Sequence, residues 1–181
     1  MKIFLIVFAV FSFMLLHENS FAKKKAGNAD QPVLIDSAAY LYKAGNIYLA
    51  GQPSKALFID LKNQGLSMVI NLRTDEEMKE HTAKDYNEEE FLRNELIGYA
   101  HLSVGTRYDP ALVDRIAEII SGTRGKVMIH CRSAARATNV WMGWLIRYKG
   151  YSLDEAVKLG KMARYSFPLE EILDREIKMR F

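Results

Sequence analysis

The residues with the clearest chemical potential lie together in one short stretch: His130, Cys131, Arg132, Ser133, Ala134, Ala135, Arg136, Ala137 and Thr138. Cys131 is the only cysteine of the chain. It follows a short apolar run, Lys126 to His130, that reads as a strand, and it precedes an apolar helix, Ala137 to Tyr148, that ends at Gly150. Small side chains between strand and helix let the backbone curl tightly. Successive N–H groups can then point inward at an anion, and the helix N-terminus adds its positive end. A thiol in the same field loses its proton more readily than a free one and becomes a nucleophile. Arg136 can offer a planar fork of donors to a tetrahedral oxyanion, which a lysine cannot do in bidentate fashion. Ser133 or Thr138 could hydrogen-bond the sulfur, and His130 is expected to orient the loop through hydrogen bonds.

Elements of recognisable type must position this loop. Asn46 to Gly51 is a short apolar run, and Ser54 can cap a helix that Gly65 stops. Met68 to Leu72 reads as a strand covered on both faces. Thr74 to Glu95, rich in Glu, Lys and Asp, reads as a solvated helical stretch with a break near Asn87, its charges forming a wet face. Ile97 to Val104 returns to strand character. Asp109 and Pro110 form a cap with proline at the first helical position, and Leu112, Val113 and Ile116 share one helical side. Ser152 and Glu155 make a capping box for a helix to about Arg164, and a last helix follows Pro168. Alternation of strand and helix with an all-helical end predicts an α/β domain: a mainly parallel central sheet flanked by helices. Trp141, Met142 and Trp144 are expected in the core.

With 181 residues, 49% of them hydrophobic and 26% charged, the chain suits one globular domain without disulfides. A net charge of +3 is too small for the basic stripe of a nucleic-acid binder. Lys2, the uncharged run from Ile3 to Leu16 and the small-x-small site Ser20 to Ala22 read as a secretory signal cleaved after Ala22. The run is short for a bilayer core of about 30 Å, although Lys23, Lys24 and Lys25 would also suit an uncleaved anchor. Residues 23–34 form a flexible lead-in and 35–181 the domain, placing a protein without stable membrane insertion in the periplasm or outside the cell. Neither His81 nor His101 has neighbours at metal-ligand spacing, and no nucleotide-binding glycine fingerprint is present. No metal or cofactor is expected.

The arrangement of strand, His130, Cys131, loop, Arg136 and helix resembles the cysteine-dependent tyrosine and dual-specificity phosphatases. Its closest likeness is to their bacterial branch in the phosphatase-like domains of beta-lactamase-hydrolase-like proteins. Gly51 to Ser54 and Val69 to Arg73 also resemble segments of that branch, so the likeness spans residues 45–165. The resemblance implies a dual-specificity-phosphatase-like fold and two-step hydrolysis of a phosphomonoester, on a protein or a small molecule, without a metal. Cys131 would attack phosphorus. Arg136 and the loop from Arg132 through Ser133, Ala134 and Ala135, with Thr138, would hold the oxygens. Asp109, or Asp75 as second candidate, would protonate the leaving group. Arg73 could line the site, and Arg107 and Arg132 could attract an anion. The phosphatase signature has five residues between cysteine and arginine, whereas four lie between Cys131 and Arg136. Rhodanese-type sulfurtransferases use a loop of this shorter length, from which Cys131 to Arg136 differs by Ala134 in place of glycine. A Cys131 persulfide carrier therefore stands as an alternative, as does a noncatalytic phosphate-binding module.

Overall fold

The computed structural model describes residues 28–166 and 169–174. The expected signal segment and residues 23–27 of the expected lead-in lie outside them, whereas the rest of that lead-in is structured, as the turn Asn28–Asp30 and the start of the first strand at Val33. After a short 3-10 turn come β1 (Val33–Asp36), β2 (Leu41–Ala44) and β3 (Ile47–Ala50), then α1 (Lys55–Asn63), β4 (Leu66–Asn71), α2 (Asp75–Lys84), α3 (Glu88–Asn94) and β5 (Gly98–His101). The chain continues through α4 (Ala111–Gly122), β6 (Lys126–His130), α5 (Ala135–Tyr148), α6 (Leu153–Gly160) and α7 (Glu170–Leu173). The sheet runs in the order β1-β2-β3-β6-β4-β5. Strands β3, β6, β4 and β5 are parallel, and β1 and β2 add antiparallel at one edge. The mainly parallel sheet expected from the alternation of elements is present. The β1–β2 pair is an addition: Gly45, at φ 60°, turns β2 directly into β3, a conformation that glycine adopts at little cost.

Alternation along the strands divides the apolar side chains between two layers. Ile47, Leu49, Ile70, Val127 and Ile129 face α4, α5, α6 and α7, while Tyr48, Ala50, Val69 and Met128 face Phe58 and Leu61 of α1 and Leu92 of α3. Helix α5 is the spine of the first layer, and every residue from Ala137 to Leu145 is buried, Trp141, Met142 and Trp144 included.

A β carbon at Gly143 would stand 2.6 Å from Ile172 Cγ2 and 3.0 Å from Val113 Cγ2, so α4 and α7 approach α5 as closely as they do only over a glycine. Gly143→Ala is therefore expected to lower stability by about 1–3 kcal/mol despite the better helix propensity of alanine. Urea unfolding monitored by Trp fluorescence measures this, and an unchanged midpoint would contradict the packing described.

Candidate functional site

Parallel strands end together. Ala50, His130, Asn71 and His101 lie in register across β3, β6, β4 and β5, and in open α/β sheets the crevice beyond the carboxyl ends is where ligands bind. Cys131 is the first residue beyond β6, a central strand. Its N–H donates to Ala50 O at 3.2 Å, the N–H of Gln52 donates to Arg132 O at 3.3 Å, and Gly51 bridges Ser133. The loop is thus tied by its backbone to the end of β3. This closeness depends on Gly51, where a β carbon would meet Ala39 O at 2.9 Å and Arg132 O at 3.3 Å.

The short loop closes through Ala134, whose φ of 66° is left-handed. An L-residue there costs about 1 kcal/mol or more, and this is the position at which the sulfurtransferase pattern has glycine. Helix α5 begins at once, with Thr138 donating both its N–H and its hydroxyl to Ala134 O at 2.9 Å. The Thr138 hydroxyl thus closes the first turn of α5, in place of the sulfur contact considered from the sequence. Cys131 is free, 1% exposed and packed against the apolar layer beneath the loop. Arg132 and Arg107 are exposed; Ser133 and Ala135 are half-buried.

Arg136 is the second residue of α5. Its Nη1 donates to Leu72 O at 3.1 Å and Val104 O at 2.8 Å, and its Nη2 donates to Glu77 Oε1 at 2.8 Å. Glu77 is also the N3 residue of a capping box with Thr74, so one carboxylate opens α2 and holds the guanidinium. Burial opposes ionisation of Glu77, but the Thr74 N–H and Arg136 outweigh it and keep its carboxyl below the ordinary carboxylate range. Arg73 is buried behind this pair, donating to Gln52 Oε1 at 2.5 Å and Glu77 O at 3.0 Å. It braces the site from within instead of facing solvent.

Beneath the loop lies a carboxylate that the sequence did not single out. Glu88, in the stretch read as a wet face, is fully buried. Its Oε1 accepts from Asn71 Nδ2 at 2.8 Å and His130 Nε2 at 2.9 Å, and its Oε2 accepts from Gln52 Nε2 at 2.7 Å. The ends of β4, β6 and β3 therefore converge on one side chain, and the charge-rich stretch is solvated on only part of its surface. Spacing supplied a signal: Glu88 and Leu92 are four residues apart, share a helix face and are both buried.

The two acid candidates lie elsewhere. Asp109 accepts from Ala111 N at 2.9 Å and pairs with Arg115 at 3.1 Å, its side chain 55% exposed. Asp75 stands 3.7 Å from His101 Nδ1 and lines a surface cleft of about 540 Å³ with Met78, Lys79 and Tyr99, to which the Cys131 loop contributes nothing. Tyr108, the residue before Asp109, lies within electrostatic reach of both Cys131 and Arg136. Burial raises its pKa, Asn139 approaches its hydroxyl at 3.4 Å, and the charge of Cys131 raises it further. Among the described residues no group of three or more His, Cys, Asp or Glu side chains is gathered to hold a metal.

Comparison with known proteins agrees with this fold. No protein-family model matches the chain. Over 117 residues, 64% of the chain, it is 30% identical to a beta-lactamase hydrolase-like protein of Xylella fastidiosa. It spans about a quarter (24%) of the length of that relative. Among solved structures it is similar to Pseudomonas aeruginosa TpbA, a Cys→Ser variant in complex with phosphotyrosine, with TM-score 0.59, 15% identity and coverage of 75% of this chain and 80% of that one. It is likewise similar to Tk-PTP in its active form, with TM-score 0.59, 20% identity and coverage of 73% and 94%. The fold is that of the tyrosine and dual-specificity-like phosphatases.

Because the folded-state pKa of Glu77 is depressed, its contribution to stability is present above the ordinary carboxylate range and is lost as pH falls through the folded value. Glu77→Gln is expected to make the fall in melting temperature on acidification shallower than in the parent. A parallel fall in the two proteins would contradict the assigned pairing with Arg136.

Proposed function

We propose that the protein is a cysteine-dependent phosphatase that hydrolyses a phosphomonoester through a cysteinyl-phosphate. The observation that carries this reading is the position of Cys131, directly beyond a central parallel strand and at the foot of α5, with Arg136 in the first turn of that helix. A phosphoryl oxyanion placed over the loop would lie at the positive end of α5 and near the Arg136 guanidinium that Glu77 holds. These are the groups that stabilise charge on the equatorial oxygens during transfer.

In the first step the Cys131 thiolate attacks phosphorus, the S–P bond forms and the P–O bond to the leaving group breaks, the departing oxygen taking a proton. In the second, water attacks phosphorus, the S–P bond breaks, and inorganic phosphate leaves with the thiolate restored. The Asp109 carboxylate is engaged by the Ala111 N–H and by Arg115, so this reading favours an aryl leaving group, which departs with little help from an acid. The phosphotyrosine complex of TpbA supports an aryl phosphate as the substrate class, and the expected signal segment supports action in the periplasm or outside the cell.

The four-residue spacing between Cys131 and Arg136 favours a second reading, sulfur transfer through a Cys131 persulfide. One assay pair separates the two: hydrolysis of an aryl phosphate and transfer of sulfur from thiosulfate to cyanide, each with the parent, Cys131→Ser and Arg136→Lys in a phosphine reductant. Phosphate release is expected from the parent, none above background from Cys131→Ser, and a fall in kcat/KM of about a hundredfold or more for Arg136→Lys. Sulfur transfer without phosphate release would overturn the phosphatase reading, and phosphate binding that survives Cys131→Ser without turnover in the parent would favour a binding module.

A further inference from the structure

Strand β1 closes one edge of the sheet and packs neither of its faces on the domain. Val33, Leu34 and Ile35 are 57%, 51% and 54% exposed, and Tyr40, in the turn that follows, is 38% exposed. Four of the seven exposed large apolar side chains among the described residues thus fall within the eight positions from 33 to 40. Apolar side chains gathered in this way mark a surface that something covers. Another strand is a poor candidate, because the edge is blunted against pairing. Pro32 has no N–H to offer, the register with β2 shifts between Leu34 and Asp36 so that Ile35 has no partner in the ladder, and the Asp36 carboxylate caps the N–H groups of Ala38 and Ala39 at 2.8 and 3.3 Å. The strand resists a ladder but keeps its apolar side chains.

Cations flank the same edge. Tyr40 holds a left-handed φ of 47°, and its ring lies against Gly51, which Arg132 O also approaches. The guanidinium of Arg164 stacks on that ring, 4.3 Å from its centroid, which orients the group and leaves its edge donors free. Arg132 and Arg164 are both exposed, and among the described residues neither pairs with a carboxylate. The acids next to β1 in the chain are engaged: Asp36 caps its own turn, and Asp30 accepts from the Tyr151 hydroxyl at 2.8 Å. Lys23, Lys24 and Lys25 precede Asn28 by three to five positions, a tether of at most about 18 Å.

We propose that the β1 edge docks on an anionic phospholipid surface. Val33, Leu34 and Ile35 enter between the headgroups, Tyr40 lies at their level, and Arg164 and Arg132 meet the phosphates, with the three lysines adding charge. Binding of this kind grows with the apolar area buried and with attraction to anionic lipids, and it needs no spanning segment. Among the described residues no helix is long and apolar enough to cross a membrane. The Gly51 N–H donates to Ala39 O at 2.9 Å, so the turn after β1 is tied to the Cys131 loop and docking brings that loop beside the headgroups.

The inference requires no catalysis and is independent of the phosphatase reading. Its test uses the chain from Lys23 to Phe181, which keeps every described residue, and measures co-sedimentation with vesicles of equal parts phosphatidylglycerol and phosphatidylcholine, or of phosphatidylcholine alone. The parent is expected to bind the anionic vesicles and to leave them as salt rises. Val33→Ser, Leu34→Ser and Ile35→Ser together should weaken binding about tenfold or more. Lys23→Ala, Lys24→Ala and Lys25→Ala together should weaken it about a hundredfold. Absence of binding by the parent, equal binding to both kinds of vesicle, or serine and alanine variants that bind as the parent does would each overturn the proposal. Sedimentation equilibrium covers the other occupant: a parent dimer that the serine substitutions convert to monomer would assign the edge to a second copy and overturn it as well. The urea midpoint checks that the serine variant folds; if it does not, unchanged binding by the alanine variant, which alters no described residue, overturns the proposal alone. Vesicle binding by a parent that hydrolyses no phosphate would sink the phosphatase reading and leave this inference standing.

Discussion

A carboxylate removed from water must find protein donors for its lone pairs, and in this molecule that requirement converges on one point. Glu88 draws Gln52, Asn71 and His130 onto its two oxygens, which brings the ends of β3, β4 and β6 to fixed separations immediately below the Cys131 loop. The parallel ladder sets register along the strands, but a ladder alone leaves the chain beyond its last pair free to splay. The buried carboxylate continues the constraint past the sheet, to the foot of the Cys131 loop. Asn71 extends it sideways by accepting the Arg73 N–H at 2.8 Å. Gln52 extends it to the Arg73 guanidinium and to the Arg132 carbonyl.

Above this floor a second carboxylate works on the opposite charge. Glu77 starts α2 and holds Arg136, so the direction of the guanidinium depends on where α2 begins. The two carboxylates thus divide the site: one fixes the strand that ends at Cys131, the other the Arg136 side chain of the following helix. Between them the loop turns through Ala134 in a left-handed conformation that a non-glycine residue adopts only when its surroundings enforce it. The tethers from Ala50, Gly51 and Gln52 supply that enforcement, and they come from β3, which lies beside β6 in the sheet.

Much of this was legible in the sequence because the signals were local. The strand Lys126–His130 has the bounds its apolar run predicts, Ser54 caps α1, the Ser152 and Glu155 box opens α6, and the break near Asn87 separates α2 from α3. The chemical loop was legible for the same reason, since strand, small residues and helix are consecutive. What escaped were features made by distant residues. Glu88 sits among glutamates of which it alone is fully buried, and its partners are supplied by positions 52, 71 and 130. Glu77 could have been read as a capping residue from its spacing to Thr74, but its hold on Arg136 crosses the domain. Strands β1 and β2 are four residues each, too short for a periodic pattern to stand out.

The account stands or falls on whether Cys131 itself receives the phosphoryl group. Rapid acid quenching of the parent during turnover of an aryl phosphate, followed by mass spectrometry of the peptide that carries Cys131, reads this directly. A phosphate adduct on that peptide, formed faster than phosphate is released and absent from Arg136→Lys at the same time point, is the predicted result. An unmodified peptide during active phosphate release, or a persulfide in place of the phosphate, would contradict it.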